Sequence, residues 1–199
     1  MFQPKRILSY VLKADVGLAP NFQGNIGTLA VCKPVVRNAA QVGSDLILGM
    51  SNSAHGRNRV IYAMTVDEKL SFEEFFNDPR FEVKKPVGEN KFGDNFFESS
   101  SSMSPAFNSA AHYNKPEKIE ADLKSLVVVG HNFWYFGADA PELPEGLKDT
   151  KLSVFGMNGR RGHRVTTDEK TINSFCEWLY KFKQGVHSHP RDLKNKPKP

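Results

Sequence analysis

The order of the predicted elements constrains the fold of this 199-residue chain more than any single motif does. Short runs rich in Ile, Leu and Val, bounded by Gly, Pro and Asn, predict β-strands. They lie at residues 6–12, 26–32, 45–50, 59–66 and 151–156, with at least one more between 122 and 137. These runs do not alternate with helices as the strands of a doubly wound sheet do. We therefore expect an α+β fold with a mainly antiparallel, curled sheet or a small β-barrel.

Two segments carry helix signals. "SFEEFF" (71–76) begins with Ser71 as a candidate N-cap and has two glutamates in its first turn, which predicts a short helix. The last segment, 166–183, has apolar residues at helical spacing, and Thr166 with Glu169 suggests a capping box. Cys176 lies on the apolar face of this C-terminal amphipathic helix, so we expect it in the core.

Composition bounds the domain organisation and the compartment. We expect one domain over residues 1–183, with a long irregular insertion at about 84–117 rich in Gly, Pro, Ser and Asn. Residues 184–199 are basic and Pro-rich and are expected to be a disordered tail. The longest apolar runs are far shorter than the roughly 20 residues that cross a bilayer, so no membrane segment is expected. Only two cysteines, with no spacing typical of a disulfide framework, and no recognisable signal peptide predict a reducing, cytoplasmic location.

The stretch "HNFWYFG" (131–137) contains four consecutive aromatic residues after an apolar run. In a strand, Phe133 and Tyr135 face one side and Trp134 and Phe136 the other. Core packing is one interpretation of these rings. The other is a platform on which a nucleobase stacks, with Trp134 or Tyr135 as the stacking residue.

A glycine-rich basic loop precedes the last helix. "FGMNGRRGHRVTTDE" (155–169) contains Arg160, Arg161, His163 and Arg164 among three glycines. Backbone amides, a helix N-terminus and arginines together suit a phosphate group. The spacing matches neither the Walker A motif nor GxGxxG, and a solvated basic turn is the alternative interpretation.

Polar residues also follow the first two predicted strands. Asp15 comes after the first strand, and Cys32, Lys33 and Arg37 come at the end of the second. If these strand ends meet, a cation beside the thiol would make Cys32 a candidate nucleophile. The alternative is that Cys32 is a small buried apolar residue. The scattered histidines have no recognised ligand spacing, so we predict no metal and no cofactor.

Several short motifs recur in the order seen in a known family. "YVLKADVGLAPN", "GTLAVCKPVVR", "VIYAMTVDEKLSFEEFFNDPRF", "GDN" (93–95), "FWYFG" and "GRRGH" resemble the bacterial and phage family called nucleotide modification associated domain, type two. The chain departs from that pattern in "SSSS" (99–102) and in "GSD" (43–45). Residues 42–79 also resemble PUA-like modules, which implies a small PUA-like β-barrel whose pocket holds a modified base.

The resemblance implies participation in DNA base hypermodification, in a bacterial cytoplasm or, for a phage protein, in that of the host. The first hypothesis is a module that binds a modified nucleotide or a flipped base in an aromatic and basic pocket. Its predicted binding residues are Asn21, Arg37, Tyr62, Trp134, Tyr135, Arg160 and Arg161.

The alternative is an enzyme acting on a nucleotide or base, with Asp15, Cys32, Lys33 and His163 as catalytic residues and His112 as a further acid–base candidate. The expected partner is a nucleotide or nucleic acid. A partner-binding protein that uses the insertion as an interface is a third hypothesis, and the oligomeric state is left open.

Overall fold

The structure is a computed structural model that describes residues 2–107, 116–153 and 163–193. Its strands are β1 (Arg6–Val11), β2 (Gly27–Leu29), β3 (Asp45–Met50), β4 (Val60–Thr65), β5 (Glu68–Leu70), β6 (Val127–Gly130), β7 (Phe133–Tyr135), β8 (His163–Thr166) and β9 (Gly185–Val186). Its α-helices are α1 (Pro34–Ala39), α2 (Phe72–Asn77), α3 (Pro116–Leu123), α4 (Glu145–Lys148) and α5 (Glu169–Leu179).

The strands form two sheets. The larger has the order β8-β1-β3-β4-β7-β9, and the smaller has the order β2-β6-β5. The pairs β1–β3 and β7–β9 are parallel, whereas the other pairs are antiparallel. The prediction of mixed helices and strands with mainly antiparallel pairing is therefore confirmed. The PUA-like barrel is not seen, because neither sheet closes on itself within the described residues.

The two predicted helices form, with one change of cap. Ser71 and Glu74 make the capping box that begins α2. The C-terminal helix α5 is capped by Asp168, whose carboxylate accepts a hydrogen bond from the Thr171 amide. Thr166 is the last residue of β8 and is buried, so it does not cap the helix. Cys176 is buried in the core, as predicted.

All three rings of β7 and that of Phe136, which follows the strand, are buried. Tyr135 stacks on Phe22, with ring centroids 4.7 Å apart. On the opposite face, the Trp134 indole nitrogen donates to the carbonyl oxygen of Phe182 at 3.1 Å, and its ring packs against Tyr180. Helix α5 and the turn that follows it therefore cover one face of β7, and Phe22 covers the other.

A second hydrophobic cluster lies beside the smaller sheet and includes part of the predicted insertion. Phe96 and Phe97 are fully buried there against phenylalanines of residues 72–81. "GDN" ties this region together: Asn95 donates from its backbone to the Lys84 carbonyl, and a Cβ at Gly93 would overlap that same carbonyl. The motif is therefore a packing device in the described structure.

A buried lysine crosslinks the same region. Lys84 has no exposed surface, and its ammonium donates to Asn21 O, Asn21 Oδ1 and Ile26 O at 3.2, 2.9 and 2.8 Å. Burial lowers the pKa of Lys84 to about 8, although Asp94 opposes the shift. Burial likewise raises the pKa of Asp94, which accepts from the Thr28 hydroxyl.

The segment after α5 returns to the sheet. The sequence predicts a disordered tail from residue 184, whereas β9 pairs with β7 and the Ala138 amide donates to the His189 carbonyl at 3.0 Å. Asp192 donates from its amide to Asp15 O at 2.8 Å, and its carboxylate accepts from the Asp15 amide at 2.7 Å. We call residues 187–193 the C-terminal strap. No helix in the described part of the chain is long and apolar enough to span a bilayer.

Candidate functional site at a cross-sheet row of tyrosines

One row of the larger sheet brings polar aromatic residues together. Reading across the strands, the paired residues are His163 on β8, Tyr10 on β1, Gly49 on β3, Tyr62 on β4 and Tyr135 on β7. Residues that pair directly across strands point to the same face. Gly49 belongs to the row because a Cβ there would overlap the Tyr62 ring. We call these five residues the tyrosine row.

Two hydroxyls of the row share one hydrogen bond. The oxygens of Tyr10 and Tyr62 are 2.7 Å apart, and either hydroxyl is able to donate. Burial raises the pKa of both residues, so both stay protonated at neutral pH. The hydroxyl that accepts this hydrogen bond keeps its own proton. That proton has no acceptor among residues 2–107, 116–153 and 163–193. The pair therefore has one unused donor.

Asp15 anchors the end of the row at β7. The Tyr135 hydroxyl donates to both Asp15 carboxylate oxygens, at 2.8 and 3.0 Å. Burial raises the pKa of Asp15, against hydrogen bonds from the Arg191 amide and the Tyr135 hydroxyl that favour the carboxylate. Burial and the Asp15 charge both raise the pKa of Tyr135. This end of the row is thus a buried acceptor–donor pair.

Lys33 and Cys32 border the opposite part of the row. The Lys33 ammonium donates to the Val11 carbonyl at 2.9 Å and lies 4.8 Å from the centre of the Tyr10 ring. Burial lowers the pKa of Lys33, while nearby Cys32 opposes that shift. Cys32 is exposed. Cys32 and Lys33 therefore lie near the end of β1, although β2 ends at Leu29 and belongs to the other sheet, so the first two strands are not neighbours.

The backbone at this border is held in an uncommon conformation. Cys32 and Lys33 both have positive φ, 62° and 50°. Such values are strained for residues that carry a Cβ, and they persist where surrounding bonds enforce them. Asp122 accepts from the Cys32 amide at 3.0 Å, and Arg37 donates to the Cys32 carbonyl at 2.9 Å. Arg37 and Asp122 are themselves paired at 2.6 Å, so one ion pair fixes the Cys32 backbone at both its polar groups.

Nearly the whole chain matches a known protein family. The model of the family described as nucleotide modification associated domain 2 matches residues 4–197. The chain belongs to this family. Comparisons with curated proteins and with solved structures find no match. The family's name links its members to nucleotide modification, and the match includes both the tyrosine row and the C-terminal strap.

Within this nucleotide modification associated domain, the predicted site residues separate into three groups. Asp15, Cys32, Lys33, Tyr62, Tyr135 and His163 lie in or beside the tyrosine row. Arg160 and Arg161, like His112, lie outside the described residues.

The remaining three predicted residues have structural roles. Asn21 is fully buried and binds Lys84, and Arg37 is fully buried around the Cys32 carbonyl. Trp134 lies on the face of β7 opposite the tyrosine row, where its indole nitrogen donates to the Phe182 carbonyl. These three residues therefore lie outside the candidate site.

Sequence reasoning missed Tyr10 and Gly49 of the row, and also Arg191 beside it. Tyr10 stands inside a predicted strand, and only the register of β8, β1, β3 and β4 reveals that it joins Tyr62. Arg191 lies in the segment taken for a tail. In the sequence, Arg191 is marked only by the acidic Asp192 that follows it in the otherwise basic segment, and this signal is weak. In the described parts of the chain, no group of three or more His, Cys, Asp or Glu residues is placed to hold a metal ion.

Proposed function

We propose that this domain binds a nucleotide or nucleobase at the tyrosine row, as its contribution to nucleotide modification. The family description supports a nucleotide or nucleobase as the ligand, and the geometry of the tyrosine row supports the row as its binding site. The observation that carries the proposal is the unused donor of the Tyr10–Tyr62 pair beside the Lys33 ammonium. Nucleobase edges carry hydrogen-bond acceptors, and aromatic surroundings suit their flat faces.

Lys33 controls access to the row in this proposal. Its ammonium covers the Tyr10 ring, and it is only partly buried, whereas Tyr10 is 1% exposed. A base that displaces the lysine side chain gains contact with Tyr10 and leaves the ammonium at its edge. Hydrogen bonds to a charged donor contribute roughly 1.5–3 kcal/mol, and a neutral one about 1 kcal/mol. These amounts are sufficient for a weak, selective site.

Calorimetric titration of the full chain with thymidine, thymidine 5′-monophosphate and duplex DNA tests the proposal. We expect Tyr62→Phe to weaken binding about fivefold, since it removes a hydroxyl and keeps the ring. Tyr180→Phe is the matched control, because the Tyr180 hydroxyl binds the Phe2 carbonyl away from the row. Unchanged affinity in Tyr62→Phe, or no binding of any probe by the unmodified protein, contradicts the proposal.

An enzyme acting on a nucleotide or base is the second candidate. The strained Cys32–Lys33 backbone, held by the Arg37–Asp122 pair, favours it, because such strain is concentrated at functional sites. In this role Lys33, whose pKa is lowered by burial, acts as a base or nucleophile beside the Cys32 thiol. His163 and Asp15 are the further acid–base groups of the row.

Mass spectrometry of nucleotides and DNA after incubation with the protein separates the two candidates. Turnover that is lost in Lys33→Met and kept in Lys69→Met supports the enzyme. Lys69 is a matched control, since it is also partly buried, donates to the Ala40 carbonyl and has a pKa lowered by burial. Binding without any product supports recognition alone.

A further inference from the structure

The C-terminal strap places a buried arginine at the Asp15 end of the tyrosine row. The Arg191 side chain is 12% exposed. Its Nη2 donates to Asp192 Oδ2 at 3.2 Å, but Nε and Nη1 are buried and have no hydrogen-bond partner among the described residues. A buried guanidinium is normally saturated with acceptors, because each N–H that leaves water must be paired to recover its lost hydration.

The backbone of the strap fixes Arg191 in this place. The Arg191 amide donates to Asp15 Oδ2 at 3.1 Å. The Asp15 amide also donates to the Asp192 carboxylate, and the Asp15 carbonyl accepts from the Asp192 amide. Gly137 and Gly17 allow close packing, since a Cβ at Gly137 would overlap the His189 carbonyl and one at Gly17 would crowd the Pro190 ring. The backbone contacts of the strap therefore hold the two Arg191 nitrogens without partners in a fixed position.

The charges around Arg191 decide which acceptor fits. The guanidinium bonds Asp192 and interacts electrostatically with Asp15, and His55 binds the second Asp192 oxygen at 3.2 Å. Two carboxylates already balance the arginine, so a phosphate dianion would add charge to a site that has no surplus of positive charge. An uncharged carbonyl oxygen pairs with the free N–H groups without that repulsion.

We propose that Arg191 is a base-recognition residue, whose Nε–H and Nη1–H groups bind an uncharged acceptor of a nucleobase, such as a ring carbonyl oxygen, at the Asp15 end of the row. This inference rests on the proposed function, since it assigns part of the same ligand. The strap must move for the ligand to enter, because both nitrogens are shielded from solvent. Its closure then positions the guanidinium on the base edge.

Titration of the full chain with thymidine, thymidine 5′-monophosphate and inorganic phosphate tests the inference. We expect thymidine and its monophosphate to bind with similar affinity, and inorganic phosphate not to compete. Arg191→Gln should weaken thymidine binding about tenfold. Arg191→Lys retains the cation, changes the donors and should also weaken it. Lys118→Gln, which removes an exposed cation on α3, is the control and should leave affinity unchanged.

The outcomes distinguish this inference from the proposed function. If thymidine binds, and Tyr62→Phe weakens it while both Arg191 variants do not, the row binds a base and the role of Arg191 is refuted. Competition by inorganic phosphate that disappears in Arg191→Gln would show an anion site and overturn the uncharged acceptor. Absence of binding by either nucleoside compound overturns both proposals.

Discussion

Arg37 and Arg191 are both largely buried arginines, and their hydrogen bonds differ completely. Arg37 uses all five of its N–H groups, on the carbonyl oxygens of Cys32, Ser125 and Leu126 and on the carbonyl and carboxylate of Asp122. Arg191 uses one nitrogen of three. The sequence analysis predicted Arg37 as a ligand-binding residue and did not predict Arg191. We infer from this comparison that burial alone does not identify a binding residue, and that unfilled bonding capacity at a buried donor is the better guide.

The energetic reason lies in desolvation. Leaving a buried donor unpaired costs roughly 1–3 kcal/mol, whereas a paired one contributes about 1 kcal/mol. Arg37 therefore stabilises the fold through its bonds, and its removal should be severe. Among the described residues, Arg191 has a single ion pair, with Asp192, which is partly exposed and also binds His55, so the removal of Arg191 should be milder.

The largest expected effect is that of Arg37→Met. The substitution leaves Asp122 buried without its partner, which costs about 3–5 kcal/mol. Urea denaturation measures it as a fall in the free energy of unfolding. Arg80→Met is the control, because the bonds of Arg80 to Glu68 and Asp78 are on the surface and should be worth less than about 1 kcal/mol. If the two variants lost the same free energy of unfolding, the buried bonds of Arg37 would not be the main source of its effect.

Lys84 is a third buried cation and belongs with Arg37, since its ammonium has three acceptors. Its pKa is about 8 in the folded protein and 10.5 for an unperturbed lysine such as that of the unfolded chain, so the unfolded chain binds more protons between these pH values. Stability therefore rises with pH in that range. Between pH 7.5 and 9.5 we expect this residue to contribute a rise of about 2 kcal/mol.

Denaturation of Lys84→Met over the same pH range provides the measurement, because that variant should lack the rise. The range stops short of the pH at which exposed tyrosines ionise. If the unmodified protein and the variant have parallel stability curves, Lys84 is not the buried cation described above.

Gly137→Ala should loosen the strap. Gly137 has φ of 54°, and an added Cβ would meet the His189 carbonyl, so we expect a loss of about 1–2 kcal/mol. Hydrogen exchange at the Ala138 amide, which donates to His189, should become faster. Gly146→Ala in α4 meets nothing within 4 Å and should instead stabilise the protein slightly. Unchanged exchange at Ala138 would show that the strap is not held at Gly137.

The smallest effect is expected for Arg191→Gln without ligand. Since two of its nitrogens have no described partner, we expect the free energy of unfolding to change by less than about 1 kcal/mol. The same urea series as for Arg37→Met measures it. A loss as large as that of Arg37→Met would mean that Arg191 is a structural residue, and the contrast between the two arginines would disappear.

Local signals predicted the parts of the fold that depend on local physics. The apolar runs placed β1, β3 and β4 within about a residue, and Ser71 with Glu74 placed α2, because strand pattern and capping are read within a few residues. Helix α1 was missed, since "PVVR" is rich in β-branched residues and reads as strand. Nothing local specifies the positive φ of Cys32 and Lys33, which the distant Asp122 enforces.

The candidate site was predictable in part for the same reason. Asp15, Cys32 and Lys33 were found as polar residues at the ends of strands. Tyr10 was not, because its partnership with Tyr62 depends on β3 lying between their strands with a glycine at the crossing point. The strap was read as disordered from composition, whereas backbone bonds to β7 and Asp15 order it.

The separation in sequence between Asp15 and its partners sets an order of events during synthesis. The Arg191 amide that binds Asp15 is 176 residues further along the chain, and β8, which flanks β1, also comes late. A ribosome-bound chain that has emerged only as far as β7 already contains Tyr10, Tyr62 and Tyr135, with Asp15 still open to water. Nascent chains whose emerged part ends before residue 187 or after residue 193 should therefore differ in how readily a probe reaches that carboxylate.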